Sequence, residues 1–269
     1  MSDARAPLTV HDLTERKAKG ERIVALTCYD VLFARLLDES GVDVLLVGDS
    51  VNQVLAGAET TLSATLDQMI YHTKSVRRGT ERALVICDMP FLTYQVSREE
   101  AIRNCGRVLA ETGCHGVKIE GGQPIAETTR ALVDAGIPVM GHLGLTPQSV
   151  HALGGYRVQG RDEASAERLM RDAKALEEAG AFAIVLELIP GPLASRITKS
   201  VAIPTIGIGA GPACDGQVLV LHDLLGLNDR FNAKFVKRYA TLAQDVREAV
   251  ELFAAEVREG RYPGPEHSF

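Results

Sequence analysis

The feature that most constrains this chain is an alternation: eight short, near-continuous apolar runs, rich in β-branched residues, separated by longer stretches in which apolar residues recur at helical spacing. Runs that are apolar at successive positions belong to strands covered on both faces, and parallel strands need crossover helices to join them. The runs are Ile23 to Thr27, Val44 to Gly48, Leu84 to Asp88, Gly116 to Glu120, Val139 to His142, Ala183 to Glu187, Thr205 to Ile208 and Gln217 to Leu221. Eight such units in 269 residues predict an α/β chain folded as one (β/α)8 TIM barrel over 1–269, a fold of roughly 250 residues as a rule. No linker rich in Pro, Gly or Ser divides the chain.

The intervening segments carry their own signals. Ser97 with Glu100 three residues on reads as a capping box, followed by Ile102, Cys105, Val108 and Leu109 on one face. Ala166, Leu169, Met170, Ala173, Leu176 and Ala179 repeat the pattern, with Gly180 as the stop. A last helix carrying Val236, Tyr239, Leu242, Val246, Val250, Phe253 and Val257 is expected to close the barrel. Thr9 to Lys19 is expected to add a polar helix covering one barrel end, although its apolar stripe is weak.

Composition narrows the partners. A net charge of -6, without a long Lys or Arg run, argues against nucleic acid and anionic membranes and for a small-molecule substrate. Met1 to Glu21 is polar, with no apolar stretch to serve as a signal or membrane span, so the expected address is the cytoplasm. The five cysteines are widely spaced, odd in number and lack a C-x-x-C pair, which predicts reduced core thiols rather than disulfides or structural zinc.

Catalytic groups of this architecture stand at the C-terminal strand ends. Asp49 follows strand two, Asp88 ends strand three, Lys118 and Glu120 end strand four, His142 strand five and Glu187 strand six. Carboxylates converging without a cation raise one another's pKa, whereas a divalent ion turns them into a coordination shell. Asp49, Asp88 and Glu120 are therefore the expected metal set, and oxygen-only ligands with room for water suit Mg2+. Any one of them could instead cap the following helix, as could Ser50. The metal reading rests on three occurring at successive strand ends. Glu187 precedes Leu188, Ile189 and Pro190, surroundings that would disfavour its charge and suit a general base; a satisfied ion-paired carboxylate is the alternative. Lys118 shares a face with Glu120 and either meets a substrate oxygen or neutralises the acidic cluster. His142 either orients substrate or serves as a structural hydrogen-bonding residue. Gly207-Ile208-Gly209-Ala210-Gly211 follows strand seven, where barrels often bind phosphate; with no Lys or Arg close by in sequence, a tight turn is the better reading.

At these residues the chain resembles the ketopantoate hydroxymethyltransferases, the enzymes that open the pantothenate pathway. The likeness runs through Thr27-Cys28-Tyr29-Asp30, Val47-Gly48-Asp49-Ser50, Thr65 to His72, Asp88-Met89-Pro90-Phe91, Val117 to Gly122, Gly141 to Gln148, Ile206 to Gly211 and Cys214-Asp215-Gly216-Gln217. It implies a barrel of the phosphoenolpyruvate/pyruvate type, Mg2+ on Asp49, Asp88 and Glu120, substrate contacts from Asp49, Ser50, Asp88, Lys118 and His142, and Glu187 as proton acceptor. It also implies the reaction of 3-methyl-2-oxobutanoate with 5,10-methylenetetrahydrofolate to give 2-dehydropantoate, and assembly into homo-oligomers, commonly decamers. Val51-Asn52-Gln53 departs from the Leu-Gly-Met run of many members and leaves that loop's shape open. Two other readings compete. One is a metal-dependent carbon-carbon lyase of the same barrel type, which would carry a reactive cysteine on a loop after strand four; no such motif follows Glu120. The other is a non-catalytic assembly or binding barrel, whose acidic set would be broken.

Overall fold

The computed structural model describes residues 6–269, so the first five residues of the polar N-terminal stretch lie outside the described residues. It divides into two compact units, one ending at Val220 and one spanning Leu221–Phe269.

The first unit is a closed parallel barrel of β1 (Ile23–Thr27), β2 (Val44–Val47), β3 (Leu84–Asp88), β4 (Gly116–Glu120), β5 (Val139–Gly144), β6 (Ala183–Glu187), β7 (Thr205–Ile208) and β8 (Gly216–Leu219). Each strand pairs with the next, and β1 closes the ring on β8. Around them run α1 (Val10–Lys19), α2 (Val31–Glu39), α3 (Val51–Val54), α4 (Leu66–Arg78), α5 (Arg98–Thr112), α6 (Ala126–Asp134), α7 (Glu163–Glu178) and α8 (Gly191–Ser200). Strand bounds differ from the expected ones at three places. Strand β2 stops at Val47, and β5 runs on to Gly144 because its ladder with β6 continues to the Gly144↔Glu187 pair. Strand β8 stops at Leu219, with Leu221 already starting a helix.

Alternation along the strands decides what lines the interior. Leu84 and Ile86 below Asp88, Met140 below His142, and Ala183 and Val185 below Glu187 belong to one buried cluster with Ile23, Ala25, Val44, Leu46, Ile206 and Val218. The same strand faces are thus apolar low in the barrel and polar at its mouth. Leu13 of α1 joins that cluster and is fully buried, so the polar N-terminal helix contributes one anchoring side chain to the barrel interior. Burial of one leucine stabilises by about 1.5–3 kcal/mol, which explains why a weak stripe suffices. Helix α1 starts at Thr9, whose N–H donates to Asp12 Oδ2 at 2.6 Å, and ends at Gly20 with φ 72°.

The outer helices follow their spacing. In α5, Ala101, Cys105, Val108 and Thr112 are buried, with Ile102 and Leu109 at the flank, and Ser97 Oγ accepts from Glu100 N–H at 3.1 Å. Only this forward half of the expected capping box forms. In α7, Ala166, Leu169, Ala173 and Leu176 pack with Leu193, Ala194 and Ile197 of α8, and Gly180 turns the chain with φ 94°. All five cysteines are free and buried.

The second unit holds α9 (Leu221–Leu224) and α10 (Leu242–Arg258). Val236 and Tyr239 lie in the loop before α10, where Tyr239 N–H bonds to Leu224 O at 2.8 Å. None of the residues of α10 is buried, and Val246, Val250, Phe253 and Val257 are exposed. Within the first unit the ring of strands is closed by the β1–β8 ladder. No helix among the described residues is long and apolar enough to cross a membrane.

Candidate active site

The ladder register assembles the polar strand ends stepwise. Asp88 pairs with Lys118, Glu120 with His142, and Gly144 with Glu187, so each step around the barrel brings the next functional side chain beside the last. Asp49, Asp88, Lys118, Glu120 and His142 are all buried, and Glu187 is half-buried.

A continuous chain of contacts results. Lys118 Nζ lies 3.1 Å from Asp88 Oδ1, 3.8 Å from Glu120 Oε1 and 3.1 Å from His142 Nδ1. His142 Nδ1 is 3.2 Å from Glu120 Oε1, and its Nε2 is 3.1 Å from Glu187 Oε2. Asp49 enters from the other side, its N–H donating to Asp88 Oδ2 at 3.1 Å. Glu187 thus faces an imidazole nitrogen, whereas its sequence neighbours suggested an apolar wall. Its backbone is held by a close approach: Gly144, with φ 93°, lets Leu145 N–H reach Glu187 O at 2.8 Å. A Cβ on Gly144 would stand 2.1 Å from that oxygen.

Ser50 follows Gly48, where a Cβ would crowd Ser50 Oγ at 2.7 Å, and its hydroxyl lies 2.8 Å from the buried Tyr29 hydroxyl. The divergent Val51-Asn52-Gln53 segment forms α3, and Asn52 Nδ2 fastens it to Thr60 O at 3.0 Å and Ser63 Oγ at 2.7 Å. Gln53 Nε2 reaches Glu59 O at 3.1 Å and the Tyr156 hydroxyl at 3.2 Å. In the glycine-rich run after β7, Gly209 and Gly211 take φ 62° and 80°, the left-handed turn that glycine permits.

Two residues not singled out from sequence belong to this site. Gln148 is buried in the turn after β5; its N–H donates to Glu120 Oε2 at 3.0 Å and its Nε2 to Asp49 Oδ2 at 2.9 Å. Tyr94, from the loop after β3, accepts from Glu120 N–H at 3.0 Å and donates to Gln148 Oε1 at 2.8 Å. Their partners stand far away along the chain, so no local spacing marks them.

The electrostatics are those of a crowded acidic cluster. Burial, and then the Asp88 and Glu120 carboxylates, push Asp49 up to about 8. Burial likewise raises Asp88, with Lys118 opposing it. Burial would also raise Glu120, but the hydrogen bond from His142 and the charges of His142 and Lys118 outweigh it and hold the group low. Burial alone would strip Lys118 of its proton; Asp88, Glu120 and Asp49 keep it charged. Burial and Lys118 act against the His142 imidazolium, yet its bonds to Glu120 and Glu187 leave it up at about 8.

Among the described residues, no trio of His, Cys, Asp or Glu is already drawn into a metal cage, because Asp88 and Glu120 turn toward Lys118 and His142. The donor chemistry nevertheless fits. Asp88 Oδ1 and Glu120 Oε1 are buried without a well-aligned hydrogen bond, and Asp49 stays hard to ionise amid its neighbours. Hard oxygen donors with unmet negative charge suit Mg2+.

Known proteins resemble this chain in sequence and in fold. A sequence model of the family described as ketopantoate hydroxymethyltransferase matches residues 7–265. The 3-methyl-2-oxobutanoate hydroxymethyltransferase of Pelobacter propionicus is 56% identical over 269 residues, covering 100% of both chains. That of Syntrophotalea carbinolica is 56% identical over 261 residues, 97% of this chain and 98% of the relative. Among solved structures, phosphonopyruvate hydrolase superposes with TM-score 0.63 at 13% identity over 97% of this chain and 93% of that one. A 2,3-dimethylmalate lyase of the PEP mutase/isocitrate lyase superfamily gives TM-score 0.60 at 18% identity, over 96% and 93%. At such identity these two report the barrel fold alone.

Proposed function

The chain belongs to the ketopantoate hydroxymethyltransferase family, and we propose that it works with Mg2+ held by Asp49, Asp88 and Glu120 and with Glu187 as the base. It is an enzyme, a hydroxymethyltransferase acting on 3-methyl-2-oxobutanoate to give 2-dehydropantoate for pantothenate biosynthesis. The observation that carries the mechanistic reading is the unbroken line of contacts from Asp88 through Lys118, Glu120 and His142 to Glu187.

When bound, Mg2+ supplies Lewis-acid polarisation of the keto group, which acidifies the hydrogen on C3. Glu187 takes that proton, and His142 Nε2, 3.1 Å away, orients its carboxylate. Lys118, held in its charged form by three carboxylates, faces the oxygen on which negative charge collects. The Ser50 hydroxyl, steadied by Tyr29, receives the substrate carboxylate. C3 then forms a bond to the methylene carbon of 5,10-methylenetetrahydrofolate and water supplies its hydroxyl, while both carbon–nitrogen bonds to that carbon break; the proton taken from C3 and one from water pass to the two folate nitrogens, and the products are 2-dehydropantoate and tetrahydrofolate. The intact acidic set counts against a non-catalytic barrel. A lyase with a loop cysteine is disfavoured by the absence of any cysteine between Cys114 and Cys214. The exposed apolar stripe of α10 supports a homo-oligomer, for which we carry forward a decamer, and the charge and hydropathy patterns support a cytoplasmic address.

The test is formation of 2-dehydropantoate with Mg2+, with chelator, and with Glu187→Ala. Product only with metal and intact Glu187 supports the reading. If the wild type exchanges deuterium at C3 without making product, the folate partner is wrong; if it does neither, the mechanism fails.

A further inference from the structure

We infer that Gln148 is a positioning residue for the metal carboxylates, fixing the planes of Asp49 and Glu120 from a single point. The inference deepens the proposed function and rests on its metal set.

Gln148 uses two different groups on two different ligands. Its backbone N–H takes Glu120 Oε2 at 3.0 Å, and its side-chain amide takes Asp49 Oδ2 at 2.9 Å. One oxygen of each carboxylate is thereby engaged, leaving Asp49 Oδ1 and Glu120 Oε1 outside these contacts. The amide cannot turn over freely. Its second N–H donates to Met89 O at 2.9 Å, and its oxygen accepts from the Tyr94 hydroxyl at 2.8 Å and Gln95 Nε2 at 3.1 Å. All four hydrogen-bonding positions of the amide are filled, so a flip would set N–H groups against donors and the oxygen against two acceptors. Tyr94 ties the arrangement to the same ligand strand, because its hydroxyl accepts from Glu120 N–H at 3.0 Å.

The placement fits a role toward a cation rather than toward folding alone. A neutral amide gives its donor to Asp49 without adding charge, so the group is oriented and no positive charge is placed on this side of it in the ion's stead. An Arg or Lys at this position would compete with the ion for it. Groups that orient ligating carboxylates in this way typically carry about 10–100-fold of metal affinity.

The experiment measures Mg2+ and Mn2+ binding by calorimetry on the metal-stripped full chain, without substrate, for wild type, Gln148→Met, Tyr94→Phe and Asp49→Asn. Methionine keeps the volume and removes the amide. Expected are a Kd raised roughly 10–100-fold in Gln148→Met and a smaller rise in Tyr94→Phe. The double variant should fall short of the product of the two, because both act through one network. A purely structural role would lower the melting temperature of the metal-free protein and leave Kd alone; that result overturns the inference. Should Gln148→Met not fold, Tyr94→Phe decides, and a wild-type Kd there overturns it equally. Binding that survives unchanged in Asp49→Asn refutes the metal set itself, a failure distinguishable from that of Gln148.

Discussion

Mg2+ binding should expel protons at neutral pH, and the amount follows from the crowding around Asp49. Its carboxyl is pushed up to about 8, against an ordinary value of 3.8, by burial and by Asp88 and Glu120. At pH 7 such a group carries about 0.9 of a proton, which a ligating carboxylate must surrender. Apparent Mg2+ affinity should therefore climb by about tenfold per pH unit between pH 6 and 8 and flatten above. His142 works in the same direction: its imidazolium persists to about 8 through Glu120 and Glu187, and drawing Glu120 toward an ion weakens that hold. For the metal-free protein the sign is fixed by folded values that lie above the unfolded ones. The Asp49 contribution is complete below pH 4 and is lost as pH rises toward 8, at up to roughly 1.4 kcal/mol per pH unit. Added Mg2+ should thus raise the melting temperature more at pH 8 than at pH 6. Calorimetric titrations in two buffers of different ionisation enthalpy count the protons directly. A release under about 0.3 proton at pH 7, with a Kd independent of pH from 6 to 8, would refute the crowding argument.

Leu13→Ala should cost about 2–5 kcal/mol, since it empties a fully buried position in the barrel interior, and should leave kcat of the folded enzyme unchanged; chemical denaturation with parallel assays checks both. Gly144→Ala forces a Cβ to within 2.1 Å of Glu187 O at φ 93°, so it should cost about 1–3 kcal/mol or more and lower kcat by displacing Glu187, whereas an unchanged rate of C3 deuterium exchange would count against that strand end as the base's mount. Ser97→Ala removes the acceptor for Glu100 N–H and should lower stability by about 1 kcal/mol without touching Mg2+ affinity.

What could be read from the chain beforehand depended on whether the signal was local. Two-residue strand periodicity puts Lys118 and Glu120 on one face, and the barrel register keeps them there. The rule that polar residues ending the apolar runs gather at the C-terminal rim brought Asp88, His142 and Glu187 into the same set. Gln148 and Tyr94 escaped because their partners are set by how the loops after β5 and β3 fold over the mouth, which no short spacing encodes. Helix α10 differs in another way: apolar spacing suggested a helix already at Val236 and Tyr239, yet the helix starts at Leu242, and a stripe announces an apolar face without saying what that face meets. Glu187's neighbours in sequence, Leu188 and Ile189, suggested an apolar setting, while its neighbour on the adjacent strand β5 is His142. Adjacency along the chain is a poor guide to the surroundings of a strand-end side chain.

The anchoring of Leu13 among the low barrel residues, away from the polar strand ends, implies a division of labour between the two rims. Variation can be tried in the mouth loops, where folding depends on them least, while the opposite rim tolerates little. A library randomised over the short helix α3 carrying Gln53 and the loop carrying Tyr156 should yield mostly folded proteins with altered substrate ranges, the barrel serving as a chassis on which the chemistry is exchangeable.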